Sequence, residues 1–236
     1  MTFSLKRFYA IIQKDMKDLS KNMMITSTML MPLVLAIFYG RMDDVTIDMH
    51  YLIINLAFAA VGVFVQSAII AEEKEKNTLR GLMLSPATLP EILGGKSTVT
   101  LVLTVVTIVL CAYLTGYEPA NYVLVGAAIL LSCLFYIAVG TLMGLLTKSV
   151  VEASVLSLPV MFLFSFASLF VSFIEEYPAL TFIEYLPSTQ LIELAKDVEA
   201  GAGFADLWSY FAVILAWIVV ASILTAFTYK KKEMDA

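Results

Sequence analysis

The run Gly94-Gly95-Lys96-Ser97 holds residue types that bind phosphate in nucleotide-hydrolysing proteins. A phosphate-binding loop needs G-x-x-x-x-G-K-[ST] between a strand and a helix. Its backbone N–H groups cradle the phosphates and its lysine reaches the outermost ones. Gly95, Lys96 and Ser97 fill the last three places, but the first glycine would be residue 90, which is Pro90. The preceding Pro-Glu-Ile-Leu is no strand, and the following Thr-Val-Thr-Leu-Val-Leu opens a long apolar run. ATP binding is therefore not expected of this chain, and Gly94-Gly95 reads as the end of a short helix.

Other chemistry is sparse. His50 stands alone, so a metal site has no cluster to build on. Cys111 and Cys133 fall inside apolar runs and read as small buried hydrophobes, not as a disulfide or metal pair. Asn55, Gln66, Ser165, Ser168 and Ser172 are the main polar residues within such runs. They can line a path for a solute, or bond between helices. No ionisable residue sits near the middle of a run, where ion-coupled carriers need Asp, Glu or His. An enzyme embedded in the bilayer would need converging His, Asp, Glu or Ser-Lys groups, and none converge here. Catalytic, cofactor-binding and metal residues are expected to be absent, and nothing points to nucleic acid.

The elements around these residues follow from apolar content. Of 236 residues, 60% are hydrophobic, and mean hydropathy is +0.88. Soluble domains carry roughly 45–50% apolar residues. Runs of about 20 apolar residues suit helices crossing a hydrocarbon core of about 30 Å, where an open strand would leave backbone groups unpaired. Six spans are expected, at about 23–40, 51–71, 98–117, 122–146, 155–174 and 207–229. The fold class is an all-α integral membrane protein. The net charge of −5 hides an asymmetry: with six spans, 13 of the 15 Lys and Arg residues fall on one side, leaving Arg41 and Lys196 opposite. The positive-inside rule then puts both termini in the cytoplasm of a multi-pass protein of the plasma membrane.

Residues 3–21 place Leu5, Phe8, Tyr9, Ile12, Met16 and Leu19 at helical spacing, with Lys6, Gln13, Lys14, Lys17 and Asp18 expected on the other face. That pattern predicts a helix lying in the membrane interface. The first span is rich in methionine (Met23, Met24, Met29, Met31), whose flexible thioethers either fill packing gaps or line an adaptable surface. Gly140 and Gly144 in the fourth span let helix backbones approach closely, within the protomer or at a dimer seam. Pro159 invites a kink in the fifth. Outside, residues 175–206 read as one or two short helices dipping into the outer leaflet or the protein. Pro187 divides them, Ser188 offers a cap, and Gly201 and Gly203 close the second.

Residues 72–97 between spans two and three carry too much charge for the bilayer core, at about 2.5–3.5 kcal/mol per central charge. Helical numbering groups Leu79, Leu82 and Met83, flanked by Lys76 and Arg80, and Pro86 ends the helix at or before Ser85. Such a helix can lay its apolar side chains into a groove of another protein.

The run Glu72-Glu73 … Thr78-Leu79 … Leu82 … Ser85-Pro86 resembles the E-E-x-x-x-x-T-L-x-x-L-x-x-S-P segment that follows span two in permease subunits of type-two ABC exporters. The layout is similar along essentially the whole chain: an N-terminal interfacial helix, six spans and an external re-entrant hairpin before the last. Asn77 and Arg80 depart from the glycine and the acid usual at those places. The resemblance implies that this segment is a coupling helix docking into a separate ATPase, with Glu72, Glu73, Lys76, Thr78, Leu79, Arg80, Leu82, Met83, Ser85 and Pro86 as its contact region. ATP and magnesium would be held by that partner. A second permease protomer, identical or a sister chain, would complete the unit. The expected function is ATP-driven export by alternating access. The expected cargo is amphipathic or hydrophobic, with a peptide toxin or antimicrobial peptide preferred and drugs or lipids as alternatives. Eleven acids against two bases on the outer face favour release of a cationic cargo. A non-transporting membrane sensor or scaffold subunit would share the same layout.

Overall fold

The computed structural model describes residues 4–76, 88–171, 173–174 and 176–234. The chain is helical, and the described residues contain no strand. Helix α1 (Leu5–Leu19) meets α2 (Met23–Tyr39) at 84°, the angle expected where a helix on the membrane surface turns into a span. Asn22 sets that corner: its Oδ1 accepts from the N–H of Met24 and Ile25 at 3.2 and 3.3 Å.

Span two is one continuous helical rod, Ile47–Glu75. It consists of α3 (Ile47–Ala57), a π-helical segment Phe58–Val65 and α4 (Gln66–Glu75). Its apolar window is wholly buried, so the other elements wrap around it. This explains a sequence that is apolar on every side rather than amphipathic. Helices α5 (Leu89–Thr115), α6 (Tyr122–Leu146) and α7 (Val150–Ser165) follow. After a break at Phe166 come α8 (Ala167–Val171), a 3-10 helix Pro178–Tyr185, α9 (Pro187–Glu199) and α10 (Phe204–Met234). Ile47–Glu75, Glu91–Thr115, Tyr122–Leu146 and Phe204–Lys230 are long and apolar enough to cross a bilayer. Met23–Tyr39, with 17 residues, sits at the short limit, and Val150–Ser165, with 16, falls below it.

Packing explains several sequence features. A Cβ on Gly140 would lie 2.6 Å from the Val63 carbonyl oxygen, and one on Gly144 would lie 2.8 Å from that of Ser67. The two glycines thus admit span two inside the protomer. Phe58 stacks on Tyr136 with centroids 4.8 Å apart, and Phe135 meets Phe164 and Trp217 edge-on at 5.4 and 5.9 Å. Helix α9 enters the same core through Leu191, Ile192, Leu194 and Ala195, whereas in the 3-10 helix before it only Ile183 is buried. Gly201, at φ +90°, ends α9, with Ala202 N–H bonded to the Asp197 carbonyl at 2.9 Å.

Two local expectations need correction. Gly94-Gly95 do not end a helix; they lie inside α5, which starts at Leu89. Thr88 caps it, forming a reciprocal capping box with Glu91. Residues 89–97 therefore extend span three, and the expected charged segment 72–97 is correspondingly shorter. Ser188 is not the cap of α9: Leu186 holds that place and Pro187 the first helical position, where a missing N–H costs nothing. Helix α7 runs through Pro159 and ends at Ser165, with Phe166 at its C-cap.

Candidate functional site

The charged residues gather where α1 crosses the ends of α4 and α5. Glycines make the crossing possible. A Cβ on Gly95 would stand 2.9 Å from Ile11 Cγ2, and one on Gly94 would stand 3.4 Å from Phe8 Cε2. Ile11, Asp15 and Leu19, spaced four apart, form the buried stripe of α1. Leu5, Tyr9 and Met16 are exposed on the next face, and Lys6 and Lys17 on a third. The single apolar face expected from the sequence is thus divided between protein and lipid.

With α1 seated, its charges close on α4 and α5. Lys96 Nζ, with no exposed surface, lies 3.0 and 3.1 Å from the Asp15 carboxylate oxygens and 2.8 Å from Glu73 Oε1. Lys14 pairs with the same Glu73 oxygen. Two lysines and two carboxylates therefore balance where Asp15 and Glu73 are 3% and 4% exposed. Burial pushes the Asp15 carboxyl above its ordinary value even though Lys96 and Lys14 pull it down. Burial alone would lower Lys14, but the Glu73 hydrogen bond and the nearby acids outweigh it and hold Lys14 above the usual lysine value. One turn further out, Arg7 reaches Glu91 at 2.8 Å, and the Ser4 backbone N–H donates to the same carboxylate.

The remaining charges at the end of span two bind its neighbours. Lys74 Nζ donates to the Leu145 carbonyl at 2.7 Å, to that of Gly144 at 3.3 Å, and to Thr147. It thereby satisfies the free carbonyls at the C-terminus of α6. Glu75 accepts from the Val150 N–H at 3.0 Å, at the start of α7. Glu72 pairs with Lys76 on the same helix. The run Glu72–Lys76 thus clamps α1, α5, α6 and α7 around the end of span two. Of the expected contact region, Glu72, Glu73 and Lys76 lie here. Thr78, Leu79, Arg80, Leu82, Met83, Ser85 and Pro86 lie outside the described residues.

Among the expected path residues, Gln66 is fully buried and joins three helices. Its Nε2 donates to Thr141 Oγ1 at 2.9 Å and to Ser97 Oγ at 3.4 Å, and its Oε1 accepts from Thr100. Asn55 is buried and reaches the Ser188 carbonyl at 3.5 Å, linking span two to the hairpin. Ser165 is buried and Ser168 half-buried; Ser172 lies outside the described residues. A cleft of about 460 Å³ opens between α2, α7 and the π segment, lined by Met24, Met31, Phe64, Leu158 and Met161 with hydroxyls from Ser27, Thr28 and Ser154. The lone His50 bonds Thr115 Oγ1 at 2.9 Å. Among the described residues no group of His, Cys, Asp or Glu could hold a metal ion.

Sequence reasoning missed Asp15 and the burial of Lys96. For Asp15 the signal was there: an acid at the spacing of Ile11 and Leu19 needs a buried cation. For Lys96 there was none, because its partners come from segments distant in the chain.

A family model described as ABC-2 family transporter protein matches residues 6–227, nearly the whole chain. Comparison with curated proteins returns no match. The chain belongs to the ABC-2 transporter family.

Proposed function

We propose that this member of the ABC-2 family is the permease subunit of an ATP-driven exporter, driven through the segment that follows span two. Family membership over residues 6–227 carries the reading. It implies an ABC ATPase as partner and a second permease protomer. The ATPase binds ATP and magnesium, and this chain supplies no phosphate site: Lys96, the one lysine in a P-loop-like run, is occupied by Asp15 and Glu73. The lysine-rich end, with both termini, faces the cytoplasm. Glu72, Lys76, Thr78, Leu79, Arg80, Leu82, Met83, Ser85 and Pro86 form the contact with the ATPase. Glu73 acts from inside the protomer, since its side chain is 5% exposed.

The cargo is amphipathic or hydrophobic, preferentially a peptide. The methionine-lined cleft supports this, because thioethers adapt to irregular apolar shapes. Asn55 and Gln66 hold helices together in this state, and they meet cargo only where spans separate.

The test is purification of the chain from detergent-solubilised membranes with the products of neighbouring genes. A soluble ATPase is expected in one-to-one ratio, and replacing Leu79 and Leu82 with Asp is expected to release it while the chain stays in the membrane. Retained co-purification would sink the docking assignment. Absence of any ATPase from the unmodified chain would shift weight to a sensor or scaffold role.

A further inference from the structure

The P-loop-like run has a use that phosphate binding does not explain. Gly94 and Gly95 let α1 lie on α5, and Lys96 projects from the same turn into two carboxylates. Those carboxylates belong to different elements, Asp15 to α1 and Glu73 to α4. Glu73 and Lys96 stand at the two feet of the segment that connects spans two and three. Their 2.8 Å contact ties those feet together. A second tie lies further along span two, where Gln66 bonds Ser97 and Thr100.

Two feet that can splay would absorb a push on the segment between them. Two feet joined by a buried ion pair move as one block and carry α1 along through Asp15. We propose that the quartet Lys14, Asp15, Glu73 and Lys96 is the joint that turns movement of the docking segment into movement of spans two and three with α1, and that Lys96 is its positioning residue. The proposal rests on the reading of the chain as an ATP-driven permease. Lys96 touches neither nucleotide nor cargo. It acts by fixing Glu73 and Asp15 in one frame, and a water-filled gap between α1 and α5 would dissipate the stroke.

The test uses the complete permease–ATPase complex in lipid nanodiscs, with spin labels at Lys17→Cys on α1 and Lys148→Cys at the end of α6, both exposed. The unmodified joint is expected to give one narrow distance between the labels, retained in the ATP–vanadate state. Lys96→Met is expected to broaden that distance. It should also cut permease-dependent stimulation of the ATPase by on the order of tenfold, within the usual size of coupling free energies, while the ATPase still co-purifies. Lys96→Arg is expected to restore both. A purely structural role would lower the yield without this split between assembly and stimulation. A narrow distance and full stimulation in Lys96→Met would overturn the proposal. Should Lys96→Met fail to reach the membrane, Asp15→Asn takes its place, with the same broadening expected and the same unchanged result overturning it. Failure of the ATPase to bind the unmodified chain would instead refute the permease reading, so the two failures are distinguishable.

Discussion

At the residue scale, Gly94, Gly95 and Lys96 serve a helix crossing. The pair of glycines removes side chains where α1 approaches α5, and the lysine answers an acid that approach brings in. A buried ion pair is weak evidence for stability, but removing one partner strands the other charge at a cost of about 3–5 kcal/mol. The quartet therefore specifies where α1 sits more than it holds the fold together. Gly95→Leu is expected to lift α1 off α5, since even a Cβ would lie 2.9 Å from Ile11. Overpacking of this kind costs about 1–3 kcal/mol. Limited proteolysis after Lys14, Lys17 and Lys21 should accelerate, and an unchanged rate would mean that α1 is held elsewhere.

At the element scale, span two is the axis of the protomer. Its first third meets α9 through Asn55, its middle is a π segment, and its C-terminal end is clamped by Glu73, Lys74 and Glu75. The small-residue pair of α6 serves this axis. Gly140→Leu and Gly144→Leu are each expected to force α6 away from span two and lower the yield of monodisperse protein in size-exclusion chromatography. If the same glycines formed a dimer seam instead, the variants would give folded protomers with weakened self-association.

At the scale of the whole molecule, charge is distributed unevenly between the two ends of the bundle. Lysines gather at one end of the bundle, while the other carries Lys196 paired with Asp48 and Glu193 at 2.9 and 3.1 Å amid a surplus of acids. Impermeant maleimide applied to intact cells is expected to label Asp43→Cys and spare Lys17→Cys, with the reverse in inside-out vesicles. Labelling of both from one side would refute the proposed topology.

Much of this was legible along the chain. Apolar runs of span length, an alternation of charge between connecting segments and the Pro and Gly signals of residues 187 and 201 each depend on near neighbours, and local sequence determines them. The tertiary structure decided the rest, because it depended on which distant segments meet. Residues 94 and 95 read as a helix end until α1 is seen to lie against them. Lys96 read as the lysine of an incomplete phosphate-binding motif until Asp15 and Glu73, 81 and 23 positions away, close around it. Single-sequence patterns report the periodicity of one element and carry no information on its partner. A buried ion quartet, whose charges are tolerable only together, exists only once the elements have packed.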